Sequence, residues 1–181
     1  MKREWTTWCG LLVLFLLLGY YFYNARPGAA IWLVLDAAAL GFLLLEVKLN
    51  GWELAKKMVP VGAFLMLFDF AFENAGSVLG YWFSSKSALP LGYVPAEIVF
   101  LTFVGGIAWA MYLPKKFDLK FTVADIALFA TFGALGEWVL MQNGLMTYYN
   151  GWTSAYAFVS YALTWVLLHV VRYKFVKEPA I

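Results

Sequence analysis

The stretch Trp5-Thr6-Thr7-Trp8-Cys9-Gly10-Leu11-Leu12-Val13-Leu14-Phe15-Leu16-Leu17-Leu18-Gly19-Tyr20-Tyr21-Phe22-Tyr23 runs 19 residues without a charge. At about 1.5 Å per residue, a helix of that length nearly matches the ~30 Å hydrocarbon core of a bilayer. Five more apolar stretches follow it, so the expected helices are 5–23, 29–47, 58–77, 94–113, 122–141 and 153–172. The composition agrees. The 181-residue chain is 64% hydrophobic and 13% charged, against about 45–50% and 25% in soluble domains. A water-soluble fold of this size has no interior large enough to hide that surface. The expected architecture is all-α: one integral membrane domain over 1–181, a bundle of six spans joined by short connections.

Basic residues set the expected orientation. Lys2 and Arg3 precede helix 1, and Lys48, Lys56 and Lys57 lie between helices 2 and 3. Lys115, Lys116 and Lys120 lie between helices 4 and 5, and Arg172, Lys174 and Lys177 follow helix 6. With six spans all eleven fall on one side, and only Arg26 and Lys86 on the other. Cytoplasmic loops carry the excess of Lys and Arg, so both termini are expected in the cytoplasm of a multi-pass cell-membrane protein. The cations are spread along the chain without a dense basic stripe, which argues against a nucleic-acid partner. Helix 1 follows Met-Lys-Arg-Glu like a signal peptide, but its aromatic end offers no small-residue cleavage site, so it is expected to be retained.

The connections carry turn and cap signals. Trp52 to Lys57 reads as an amphipathic lead-in at the interface, with Pro60 near the first turn of helix 3. The longest connection, Ser77 to Tyr93, holds Gly80, Tyr81, Trp82, Ser84, Ser85, Ser87, Pro90 and Gly92. Pro95 suits a helix start. Asn143-Gly144 closes helix 5, and Thr153 is the expected N-cap of helix 6. Gly105 and Gly106 in helix 4, and Gly133 and Gly136 in helix 5, permit close helix contact, or a homo-oligomer. Glu73 followed by Gly76, Gly80, Tyr81 and Trp82 is echoed by Glu137 followed by Gly144, Tyr148, Tyr149 and Trp152. The echo reads either as a duplicated hairpin or as two loops obeying the aromatic-belt rule.

Acids inside the spans are the informative residues: Asp36, Asp69, Glu73, Glu97, Glu137 and, less deep, Asp125. A carboxylate at the bilayer centre costs about 2.5–3.5 kcal/mol on insertion scales, so such groups are functional candidates facing the bundle interior. Asp69 and Glu73, four residues apart, share a helix face. Glu73 and Glu137 lie about a turn from the outer ends of their helices, and Glu97 in the first turn of helix 4 starts from the same rim. With Asn74, Tyr81, Trp82, Trp138, Tyr148 and Trp152 nearby, the expectation is an acidic, aromatic-walled pocket near the outer face. Blander roles stand beside this one. Glu97 and Asp125 can serve the helix dipole, Asp36 can bond a neighbouring helix, and His169 reads as an interfacial histidine beside Arg172.

A carboxyl in low dielectric beside other carboxyls keeps its proton near neutral pH and can act as a general acid. Aromatic faces stabilise cations. The combination suits protonation of a C=C bond in a long hydrophobic lipid, followed by proton loss, cyclisation or water capture. That chemistry needs no cofactor. One cysteine and one histidine give neither a Cys₄ zinc site nor bis-His haem ligation, and no Walker loop, dinucleotide fingerprint or Gly-x-Ser-x-Gly is present.

The run Phe68-Asp69-Phe70-Ala71-Phe72-Glu73-Asn74-Ala75-Gly76, then Gly80-Tyr81-Trp82, then Gly92-Tyr93-Val94-Pro95-Ala96-Glu97 resembles the membrane carotenoid-biosynthesis proteins, namely lycopene cyclase domains and carotenoid hydratases. Glu73, Tyr81, Trp82, Pro95 and Glu97 are the matching positions. Pro95 is followed by one acid, where the cyclase domains usually carry a pair. The resemblance implies isoprenoid chemistry by protonation, matching the reading from the residues: a cofactor-independent lyase or isomerase of isoprenoid lipids. In that reading Glu73 is the lead acid, Asp69 tunes or relays its proton, Glu97 and Glu137 complete the proton network, and Tyr81 and Trp82 face the cation. A small proton- or cation-coupled transporter, or a membrane assembly subunit, remains open as an alternative.

Overall fold

The structure, a computed structural model, describes residues 3–85 and 89–176. The topology markers Lys2, Lys86 and Lys177, and Ser87 of the long connection, lie outside the described residues. Six α-helices carry the fold: α1 (Arg3–Ala25), α2 (Ala30–Asn50), α3 (Trp52–Val78), α4 (Ala96–Tyr112), α5 (Leu119–Gln142) and α6 (Ser154–Val170). A π-helical turn, Val171–Phe175, extends α6. α1, α2, α5 and α6 with its extension are long and apolar enough to cross a membrane. The chain is thus an all-α membrane protein. α4, at 17 residues, is the shorter apolar helix and the most enclosed, with every residue from Gly106 to Leu113 buried.

Several boundaries differ from those read in the sequence. α3 starts at Trp52 rather than at residue 58, so the amphipathic lead-in is continuous with the helix and Pro60 sits inside it, beyond the first turn. α5 starts at Leu119 rather than 122, because the Asp118 side chain accepts from Phe121 N and caps it. Thr153 occupies the N-cap position of α6 but makes no side-chain cap bond.

Hydrogen bonds fix which connections share an end. The Arg3 side chain bonds Asn50 and reaches Met111 O at 3.5 Å. Arg172 Nε bonds Ala110 O at 3.0 Å, and Tyr173 OH bonds Pro114 O at 3.0 Å. The start of α1, the α2–α3 junction, the α4–α5 connection and the end of α6 therefore meet at one end, termed the basic end. At the opposite end Asn143 links to Gly28 N and Phe22 O. There also β1 (Trp82–Ser84) pairs antiparallel with β4 (Met146–Tyr148), joining the α3–α4 loop to the α5–α6 loop. β2 (Pro90–Leu91) and β3 (Val94–Pro95) form a tight hairpin that leads into α4.

α3 and α4 make the closest helix crossing. A Cβ at Gly62 would fall 2.5 Å from Phe103 O, and one at Gly106 would sit 3.0 Å from Gly62 Cα. Small residues at a membrane helix contact allow this approach and the dispersion contacts that hold it. The main core lies towards the basic end and includes Met58, Val61, Leu65, Trp109, Tyr112, Phe121 and Leu168.

Candidate functional site

Each of the two echoed loops returns an aromatic donor to a glutamate of the helix that precedes it. After α3, the chain turns through Gly80 (φ +74°) into β1, and Trp82 Nε1 donates to Glu73 Oε2 at 2.9 Å. The Ser84 hydroxyl also bonds Glu73. After α5, the chain turns through Gly144 (φ +66°) into β4, and the Tyr148 hydroxyl donates to Glu137 Oε2. Tyr161 of α6 supplies a second hydroxyl to Glu137. The β1–β4 register places Trp82 opposite Tyr148, so the pairing sets the two glutamates under one ribbon. Burial, and then the Glu137 carboxylate beside it, push the Tyr148 phenol well above its ordinary pKa, which keeps it a donor.

Trp82 can lie against α3 only because residue 76 has no side chain. A Cβ there would fall 2.0 Å from the indole ring. Gly76→Ala should expel Trp82 from Glu73 at an overpacking cost of about 1–3 kcal/mol. A lowered thermal midpoint together with a red-shifted tryptophan emission is the expected reading, and an unchanged spectrum would contradict the contact.

Beneath the ribbon lies a cavity of about 540 Å³, within the ~300–1,000 Å³ usual for small-molecule sites. Asp69, Glu73 and Glu137 line it at the ribbon end, with Trp82, Ser84, Met146 and Trp152 as ceiling. Asp69 lies one helical turn from Glu73, and its Oδ2 is buried with no hydrogen-bond partner among the described residues. The remaining wall is almost entirely apolar. Gly105 and Gly136 belong to it, and a Cβ on either would meet nothing within 4 Å, so these glycines leave space rather than packing helices. Leu16, Tyr20 and Tyr23 of α1 and Leu135 and Trp138 of α5 line the cavity and are also exposed, so it reaches the molecular surface along the α1–α5 seam.

The expected site residues separate into groups. Asp69, Glu73, Glu137, Trp82, Trp138 and Trp152 share the cavity wall. Tyr148 acts on Glu137 from outside that wall. Tyr81 is exposed and stands off the wall, with its ring 5.7 Å from that of Trp152. Asn74 bonds Phe70 O at 2.8 Å and accepts from Tyr93 N at 3.2 Å, tying α3 to the β2–β3 hairpin. Glu97 stays away from the cavity, in the first turn of α4, and interacts electrostatically with Asp36 of α2.

A second polar group, towards the basic end, has an arrangement the sequence did not convey. Asp125 is fully buried in α5 rather than serving a helix start. It accepts from Trp109 Nε1 at 2.9 Å and from the Tyr112 hydroxyl, and faces His169 Nε2 at 3.0 Å. His169 is buried rather than interfacial, and stacks on Tyr173 at 5.9 Å. The signal available beforehand was that Asp125 and His169 are each an isolated polar residue in an apolar helical stretch. Among the described residues, no three His, Cys, Asp or Glu side chains stand close enough together to hold a metal ion. Comparison with protein families, with curated proteins and with solved structures finds no match to this chain.

Proposed function

We propose that this chain is a membrane enzyme that protonates a C=C bond of an isoprenoid or carotenoid-like lipid. The observation that carries the reading is a bare Asp69 oxygen beside two hydrogen-bonded glutamates at the ribbon end of an apolar, aromatic-walled cavity. Three ionised carboxyls in such a place would cost several kcal/mol each, so the group holds protons between its members. Glu73 and Glu137 have carboxyl oxygens already engaged by the donors of Trp82 and Tyr148. Asp69 receives none among the described residues, so its carboxyl can turn its proton towards a ligand without breaking a bond to the protein, which favours it over Glu73 as the proton donor.

The step balances without an oxidant. The Asp69 proton forms a C–H bond to one alkene carbon, and the π pair is consumed in that bond. The positive charge left on the other carbon faces Trp82 and Trp152, whose rings lie 4.5 Å apart. Loss of a neighbouring proton to a glutamate gives an isomer. Attack by a second double bond moves the charge onto a ring carbon, and the same proton loss then gives a cyclic alkene. Attack by water followed by loss of its extra proton to a glutamate gives an alcohol. Glu73, one turn away, returns a proton to Asp69. The resemblance to carotenoid-biosynthesis proteins over residues 68–97 implies the same class of reaction.

Six spans with both termini in the cytoplasm complete the reading, supported by the basic residues gathered at one end of the bundle. The site then lies towards the outer leaflet, and lipid reaches it sideways along the α1–α5 seam. Mass spectrometry of lipids from cells with and without the protein tests this. An isomer, or a product heavier by one water, is expected. An identical lipid profile with well-expressed, folded protein would sink the proposal, and proton flux in proteoliposomes would then favour the transporter alternative.

A further inference from the structure

We infer that Trp109 is the floor of the lipid cavity and sets the length of chain it accepts, about three isoprene units. This rests on the cavity being the lipid site of the proposed acid chemistry.

The residues lining the cavity nearest the basic end are Leu11, Phe42, Leu65, Trp109, Phe129 and Trp165, one from each helix. Trp109 and Trp165 meet edge to face at 6.2 Å, and Phe129 stacks on Trp165 at 4.6 Å. Below them Asp125, Tyr112, His169, Phe121 and Leu168 are buried and do not line the space.

The floor is held in place. An indole packed only by apolar neighbours can shift when a ligand presses on it. Trp109 is held by its Nε1 bond to Asp125, and the carboxylate is itself held by Tyr112 and His169. His169 also braces the Trp109 ring edge to face at 5.0 Å. A buried acid and histidine below an apolar pocket thus fix the position of its end wall.

The helices give the length. On α4 the lining runs from Ile98 to Trp109, and on α5 from Phe129 to Leu140. Eleven residues at about 1.5 Å each make roughly 16 Å on both helices. With C–C bonds of about 1.5 Å in zigzag, that spans about a dozen chain carbons, the backbone of three isoprene units. A ligand that fills this length from the ribbon end, with its reacting double bond beside Asp69 part-way along, therefore has its far end against Trp109. A longer chain must bend out along the α1–α5 seam.

The experiment is displacement of a radiolabelled three-unit prenyl alcohol from the full-length protein in nanodiscs. The competitors are unlabelled prenyl alcohols of two, three and four units. The three-unit alcohol should displace best, with the four-unit one about tenfold weaker, the size of an overpacking penalty. Trp109→Ala should close that gap or reverse it. Gly105→Leu places bulk in open space one turn above the floor and should move the optimum to two units. If Trp109→Ala fails to fold, Gly105→Leu decides alone. The same ranking in wild type and folded variants, or no saturable binding, overturns the inference. Turnover with an unmoved ranking would remove the floor and keep the acid chemistry. A moved ranking without turnover would keep the floor and remove the chemistry.

Discussion

Asp69→Asn should lower lipid turnover by about 10²–10⁴-fold, the usual contribution of a positioned general acid, while the protein stays folded. The side chain keeps its shape, and the oxygen it loses has no hydrogen-bond partner among the described residues to orphan. Glu73→Gln should behave differently. It turns one of the two oxygens that serve Trp82 and Ser84 into an NH2 donor, so activity and the environment of Trp82 should change at once. The comparison is made by product formation alongside tryptophan emission. An Asp69→Asn protein with full turnover would shift the proton donor to Glu73. Full turnover in both variants would end the acid mechanism.

The largest stability effect should come from the other end of the bundle. Asp125→Ala leaves the Trp109 indole, the Tyr112 hydroxyl and buried His169 facing an empty acceptor position. Orphaning a buried donor costs about 1–3 kcal/mol, so a loss of about 3 kcal/mol or more is expected. It should appear as a sharp fall in thermal midpoint in detergent. Asp125→Asn retains one acceptor oxygen and should fall between the two. A midpoint unmoved by Asp125→Ala would show that these bonds contribute nothing net in this setting.

The membrane class and six helices were legible because a 3.6-residue turn and a bilayer of fixed thickness leave few choices for long apolar stretches. Asp69 with Glu73 was legible for the same reason, since residues four apart must share a face. Glu137 joined them because its loop repeats the chemistry of the loop after Glu73. Glu97 does not line the cavity with the other acids, as depth in the bilayer says nothing of direction around the bundle axis, and its charge acts on Asp36 of α2. Asp125 was misread through a boundary error of three residues. Once Asp118 caps α5, Asp125 is nearly two turns inside the helix. Its partner His169 lies 44 residues away on another helix, and only the packing of α6 on α5 brings them together. Tyr161 gave no signal at all, because a tyrosine in an aromatic-rich helix looks the same whether it faces lipid or a carboxyl.

The β1–β4 ribbon has a consequence for biosynthesis. Its strands are separated by some sixty residues of chain, so β4 and α6 leave the ribosome well after β1. Trp82 can dock on Glu73 as soon as α3 and β1 are made, but Glu137 receives its two hydroxyls only once β4 and α6 have followed. Until that moment Glu137 lacks both of its hydroxyl donors. Closure of the ribbon is therefore a late event in synthesis, and it makes the sixth helix the one that completes the carboxyl cluster begun by the third.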